Sequence, residues 1–144
     1  MFKTLLLPVD LSAEASWKHA LPAALKLCNP DSVLHVVTVV PDFGLSVVGS
    51  YFEQGFEERA LKEVGRKLTD WVAAHIPDWV DVHPHVLHGR VYDRLLEAAG
   101  RLGVDTIVMA SHTPALADYL LGPNAARVVR HASCSVLVVR AGGA

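Results

Sequence analysis

Two short segments carry the residue types best suited to chemistry: Ala110-Ser111-His112-Thr113-Pro114 and Gly122-Pro123-Asn124. The first follows an apolar run and offers small side chains, a hydroxyl and an imidazole. The second opens a helical pattern expected to bury Val128-Val129 as its stripe. A turn after a parallel strand and the start of a helix both present backbone N–H groups that can hold phosphate. Pro123 has no N–H, yet it suits the first helical position, where that N–H would have no intrahelical partner. The remaining donors are the N–H groups of Asn124 and Ala125 and the Asn124 side chain. His112 could hydrogen-bond a phosphate or, when protonated, pair with it. Read alone, the first segment is equally a polar turn, and Gly-Pro-Asn is more often a plain helix start.

Asp10 is the other notable residue. It ends the apolar run Leu5-Leu6-Leu7-Pro8-Val9 and precedes Ser12, a residue suited to capping a helix. A carboxylate there can accept from a ribose hydroxyl or an adenine amine. A helix-terminal Asp held by the macrodipole explains the position equally well.

Other chemistries lack their residues. Neither a Walker A sequence nor Gly-x-Gly-x-x-Gly occurs. Ser111 and His112 are adjacent, which does not build a Ser–His relay, and no Gly-x-Ser-x-Gly elbow is present. No paired catalytic carboxylates stand out. His83 and His85 share one strand face and His88 falls on the other, with no acid or thiol nearby to complete a tetrahedral metal set. His35 reads as a hydrogen-bonded core residue. Cys28 and Cys134, the two cysteines, read as buried thiols in a reducing compartment.

These residues need a scaffold, and the chain supplies the pattern for one. Its 144 residues suit a single domain, 1–144, with a sizeable core. No apolar run is long enough to span a membrane, and the opening segment is too short for a signal sequence, so a cytoplasmic protein is expected. The net charge of −2 argues against a dedicated nucleic-acid binder.

Strands are expected at 2–9, Val33 to Val40, Trp79 to Leu87, 105–110 and Ser135 to Arg140. One helix follows Ser12, with Trp17, Leu21, Ala24, Leu25 and Cys28 on one face and a kink at Pro22. The next carries Ala60, Val64, Leu68, Trp71, Val72 and His75, and Ile76-Pro77-Asp78 stops it. A third carries Tyr92, Leu95, Leu96, Ala99 and Leu102, closed by Gly103. A fourth covers about 123 to 131. Five short apolar strands alternating with four helices call for an α/β fold with a parallel sheet and helices on both faces. In such a sheet ligands bind beyond the carboxyl ends of the strands, where the strand order reverses. That rule selects Pro8-Val9-Asp10, the segment after Val36, and Ala110 to Asn124. The Gly- and Ser-containing loop Asp42 to Tyr51 is expected to cover the pocket.

With these residues in view, the whole chain resembles the universal stress protein family. The resemblance rests on Leu6-Leu7-Pro8-Val9-Asp10, Val33-Leu34-His35-Val36-Val37, Gly89 before the third helix, and the block from Val128 to Arg140. It is most similar to the ATP-binding branch with Ala-Ser-His-x-Pro followed by Leu-Leu-Gly, a branch that includes a TRAP-transporter-associated member. The resemblance implies a Rossmann-like sheet of order 3-2-1-4-5 and an adenine-nucleotide pocket for ATP, ADP or AMP, with magnesium as counter-ion. Pro8, Val9 and Asp10 would lie near base and ribose, and Val36 would pair with adenine through its backbone. Met109, Ala110, Ser111, His112 and Thr113 would line ribose and phosphates, and Gly122, Pro123 and Asn124 would hold the phosphates. Ala110 and Thr113 stand where the family motif has its leading glycines, and Pro123 stands where it has a hydroxyl that reaches the γ-phosphate. A stress-response or regulatory role follows, with at most weak ATPase activity, and a homodimer paired through Ser135 to Arg140. A non-nucleotide adaptor is the alternative reading, and a slow hydrolase using His112 the third.

Overall fold

A computed structural model describes residues 2–41, 54–111 and 123–140. Five strands, β1 (Thr4–Pro8), β2 (Val33–Val40), β3 (Asp81–His88), β4 (Thr106–Ala110) and β5 (Ser135–Val139), form one sheet of order β3-β2-β1-β4-β5. Every pairing is parallel. Four helices, α1 (Ala20–Leu27), α2 (Gln54–His75), α3 (Val91–Arg101) and α4 (Pro123–His131), alternate with the strands. No helix among the described residues is long and apolar enough to cross a membrane.

The apolar strands fit this arrangement because a parallel sheet is buried on both faces. Leu5, Leu7, Leu34, Val36 and Val108 face one core with Ala20, Leu21 and Ala24 of α1 and Leu68 and Trp71 of α2. Leu6, Val37, Ile107 and Met109 face the other, with Leu95, Ala98 and Ala99 of α3 and Ala125 and Val128 of α4. The chain runs outward from β1 through β2 to β3, then crosses back to β4 and β5. The order therefore reverses between β1 and β4, which are neighbours.

The ends of α3 and α4 are set by their residues. Gly103 takes φ +65° just past the α3 C-cap Leu102. Its N–H bonds the Gly100 carbonyl at 3.3 Å, and Val104 N–H bonds that of Ala99 at 3.0 Å. This closure satisfies two terminal carbonyls and needs a left-handed residue. Pro123 is the first residue of α4.

Four expectations need correction. Val129, expected to share the buried stripe of α4 with Val128, is 46% exposed. Ser12 caps no helix: its N–H and hydroxyl both bond Asp10 Oδ1, at 3.0 and 2.7 Å. A short 3₁₀ turn, Glu14–Ser16, follows, and α1 begins only at Ala20. Pro22 thus sits in the first turn of α1, where a missing N–H costs no helical bond, and no interior kink arises. The third strand starts at Asp81 because Val80 N–H closes a turn on the Pro77 carbonyl at 3.1 Å. That turn leaves Trp79 51% exposed.

Candidate functional site

Beyond the carboxyl ends of β1 and β4, at the reversal of strand order, lies a cavity of about 350 Å³. That volume is within the range of small-molecule sites. Pro8, Val9 and Asp10 form one wall, and Met109 and Ala110 another. Pro123, Asn124 and Ala125 bring the amino end of α4 to the same space. Val37 and Val39 from β2 and Val91 and Leu95 from α3 supply apolar surface.

The loop after β1 is firmly tied. Val9 N–H donates to the Val37 carbonyl at 2.8 Å. Asp10 N–H donates to Ser16 Oγ at 2.9 Å, and the Ser16 hydroxyl bonds the Asp10 carbonyl at 3.2 Å. Ala13 N–H reaches the same carbonyl at 3.0 Å. Ser12 fixes the Asp10 carboxylate through Oδ1, and Oδ2 accepts no hydrogen bond from the described residues. An anchored, exposed carboxylate at the cavity rim is able to receive a hydroxyl or amine from a ligand.

The described residues therefore bring Pro8, Val9, Asp10, Met109, Ala110, Pro123 and Asn124 together around one cavity. Val36 turns its side chain into the opposite core, beneath α1 and α2. Ser111 extends the β4–β5 pairing through an N–H bond to the Val139 carbonyl at 3.0 Å and is not in the cavity wall. His112, Thr113, Gly122 and the loop Asp42 to Tyr51 lie outside the described residues. Sequence reasoning missed Val37 and Val39, although strand alternation at the end of β2 puts both on one face. It also missed Val91 and Leu95, which share a face of α3 at a spacing of four.

The histidines form a separate cluster. His35 Nδ1 and His85 Nε2 lie 2.8 Å apart, and His83 Nε2 lies 2.9 Å from Asp81 Oδ1. His88 Nδ1 pairs with Glu57 at 3.2 Å. Among the described residues no group of three His, Cys, Asp or Glu has the arrangement of a metal site. Cys28 and Cys134 are free thiols, and burial pushes both upward in pKa. Neither has the lowered pKa of a reactive thiol.

Residues 1–140 match the model of the universal stress protein family. The chain belongs to that family. Universal stress protein G of Escherichia coli O157:H7 is 34% identical over 142 residues, covering 97% of this chain and all of the relative. The solved hypothetical protein MJ0577 superposes with a TM-score of 0.81 at 22% identity, over 100% of this chain and 99% of that one. A universal stress protein in complex with cAMP gives 0.62 at 20% identity, over 96% and 97%. An Arabidopsis thaliana family member with AMP bound gives 0.63 at 14%, over 98% and 93%. At such identities these three structures speak to the fold. For this universal stress protein, the predicted order 3-2-1-4-5 is the observed one.

Proposed function

We propose that this universal stress protein binds an adenine nucleotide in the cavity between β1, β4 and α4. ATP is the intended ligand, ADP and AMP are shorter occupants, and the protein works as a cytoplasmic stress-response or regulatory factor. One observation carries the reading. A fixed, partly unpaired carboxylate (Asp10) and the amino end of α4 (Asn124, Ala125) border the same apolar-walled cavity at the switch point. The apolar surface of Val37, Val39, Val91 and Leu95 suits a purine. Asp10 suits the ribose hydroxyls, and the α4 N–H groups suit phosphate. His112, Thr113 and Gly122 complete the phosphate end in this reading, Ser111 adds its hydroxyl, and magnesium accompanies the longer phosphate chains. That two proteins of this fold bind cAMP and AMP supports the same ligand class here.

Hydrolysis is a minor activity in this reading. The carboxylate at the rim serves the ribose, and Ser111 and His112, adjacent in sequence, do not make a Ser–His relay. A homodimer through β5 is part of the same proposal. That strand is a sheet edge, and Leu137 on it and Val129 on α4 are 40% and 46% exposed. Unpaired edges of this kind favour strand-to-strand association.

Mass spectrometry of small molecules released from the purified protein tests the ligand class. An adenine nucleotide near one per chain is expected. A ligand-free protein that also shows no thermal shift with ATP–Mg overturns the proposal. At about a hundredfold its Kd, a ligand stabilises by roughly 2.7 kcal/mol.

A further inference from the structure

His35 on β2 and His83 and His85 on β3 are not among the residues that line the proposed nucleotide cavity. Strand register places His35 directly across from His83 and Val37 across from His85, so all three rings stand on one face. The His35 ring centroid is 5.5 Å from that of His83 and 5.0 Å from that of His85. His35 Nδ1 and His85 Nε2 are bonded at 2.8 Å. His35 is only 9% exposed. The charged groups facing this cluster are Asp81 on β3 and Arg101 at the carboxyl end of α3. β1 contributes the apolar Leu6 opposite His35.

We propose that His35, His83 and His85 form an acid-sensitive latch that fastens edge strand β3 to β2 while the cluster is largely uncharged. The chemistry follows from the facing nitrogens. In the neutral pair one nitrogen donates its N–H and the other accepts. A first added proton leaves that bond in place. A second makes both facing nitrogens donors, so the bond is lost and two positive charges meet beside His83 and Arg101. Asp81 offsets part of this, but it is exposed and already engaged by His83. Burial, His85 and His83 hold His35 below the ordinary histidine range, against the pull of Asp81. Burial, Arg101 and His83 do the same for His85.

A histidine whose pKa is lower in the folded state takes up protons more readily when unfolded. The latch is therefore fully effective above the unfolded value of about 6.5 and weakens as pH falls below it. β3 is an edge strand with β2 as its neighbour, so its release breaks a single ladder.

Thermal melting of the full chain, with EDTA present, at about pH 7.5 and about pH 5.5 tests it. The wild type is expected to lose roughly 3–6 °C between the two. His85→Gln is expected to lose less than half as much, and the exposed His131→Gln control as much as the wild type. NMR titration of ring protons in the wild type gives a second readout, independent of whether the variant folds. His35 and His85 are expected to titrate below the free value of about 6.5. An unchanged pH loss in a folded His85→Gln, or titration of both rings at or above the free value, overturns the latch.

Discussion

The main-chain N–H of Val9 donates to the carbonyl of Val37 at 2.8 Å, and both residues line the same cavity. This bond carries the β1–β2 pairing one residue beyond β1 and fixes the floor against which a ligand would rest. The chain leaves the sheet immediately afterwards, at Asp10, so the carboxylate stands at the rim. The position of Asp10 therefore comes from the end of strand pairing together with the bonds to Ser12 and Ser16.

Asp10→Asn tests the ribose contact. The amide keeps an oxygen to accept from Ser12, so the turn survives, while the charged acceptor is lost. Hydrogen bonds to charged groups are worth about 1.5–3 kcal/mol, so nucleotide affinity should fall roughly ten- to a hundredfold. Titration calorimetry measures this, and a melting temperature close to that of the wild type shows that the fold is intact.

Pro123→Ser tests the phosphate end. Serine suits a helix start and restores an N–H and a hydroxyl where the family pattern has a hydroxyl. One added hydrogen bond of about 1 kcal/mol should raise affinity for ATP several-fold. AMP, which lacks the γ-phosphate, should gain little, and the ATP-to-AMP affinity ratio reads the difference.

Asp105 staples the sheet at its amino end. Its Oδ2 accepts from Lys3 N–H at 2.7 Å and Thr4 N–H at 3.0 Å, and Oδ1 accepts from the Thr106 hydroxyl at 3.0 Å. Burial acts to raise its pKa, but the Thr4 and Lys3 N–H groups outweigh burial and hold it below the ordinary carboxylate range. Its stabilising effect is therefore present above the unfolded pKa of about 4 and is lost as pH falls through the lower folded value. Asp105→Ala should cost about 1–2 kcal/mol near neutral pH, measured by urea unfolding, and the deficit should shrink in acid.

Leu137→Lys tests the dimer. A charge on the exposed face of edge strand β5 should block pairing while leaving the monomer folded. Sedimentation should show a dimer for the wild type and a monomer for the variant, with nucleotide binding retained.

Much of the fold was legible because local and tertiary demands agree. Val33 to Val40 is apolar enough to be buried on both faces, and it is β2 without adjustment. Pro123 and Gly103 mark a helix start and a helix stop through backbone constraints that no tertiary context reverses. The start of α1 was not legible, because Ser12 had two uses, capping a helix or binding Asp10, and the sequence does not rank them. The start of β3 was obscured by Trp79 and Val80, whose apolar character resembles a strand although the Pro77 turn takes them. At the site, single residues such as Asp10 could be found from the end of an apolar run. The apolar walls could not, because Val37, Val39, Val91 and Leu95 look like any core residues until the sheet order places them at one edge. The His35–His85 bond joins residues fifty positions apart and depends on the β2–β3 register, which the pattern alone does not fix.

In the proposed function an adenine nucleotide is seated against Val37 and Val39. Titration calorimetry of ATP–Mg into the wild type and into Val39→Trp tests it most directly. The indole would fill the apolar end of the cavity while Val39 sits partly exposed, so the fold should tolerate it. One site per chain is expected in the wild type, with affinity at least about tenfold weaker in a variant that melts normally, a loss of about 1.4 kcal/mol or more. No binding by the wild type, or equal binding by the two, would contradict it.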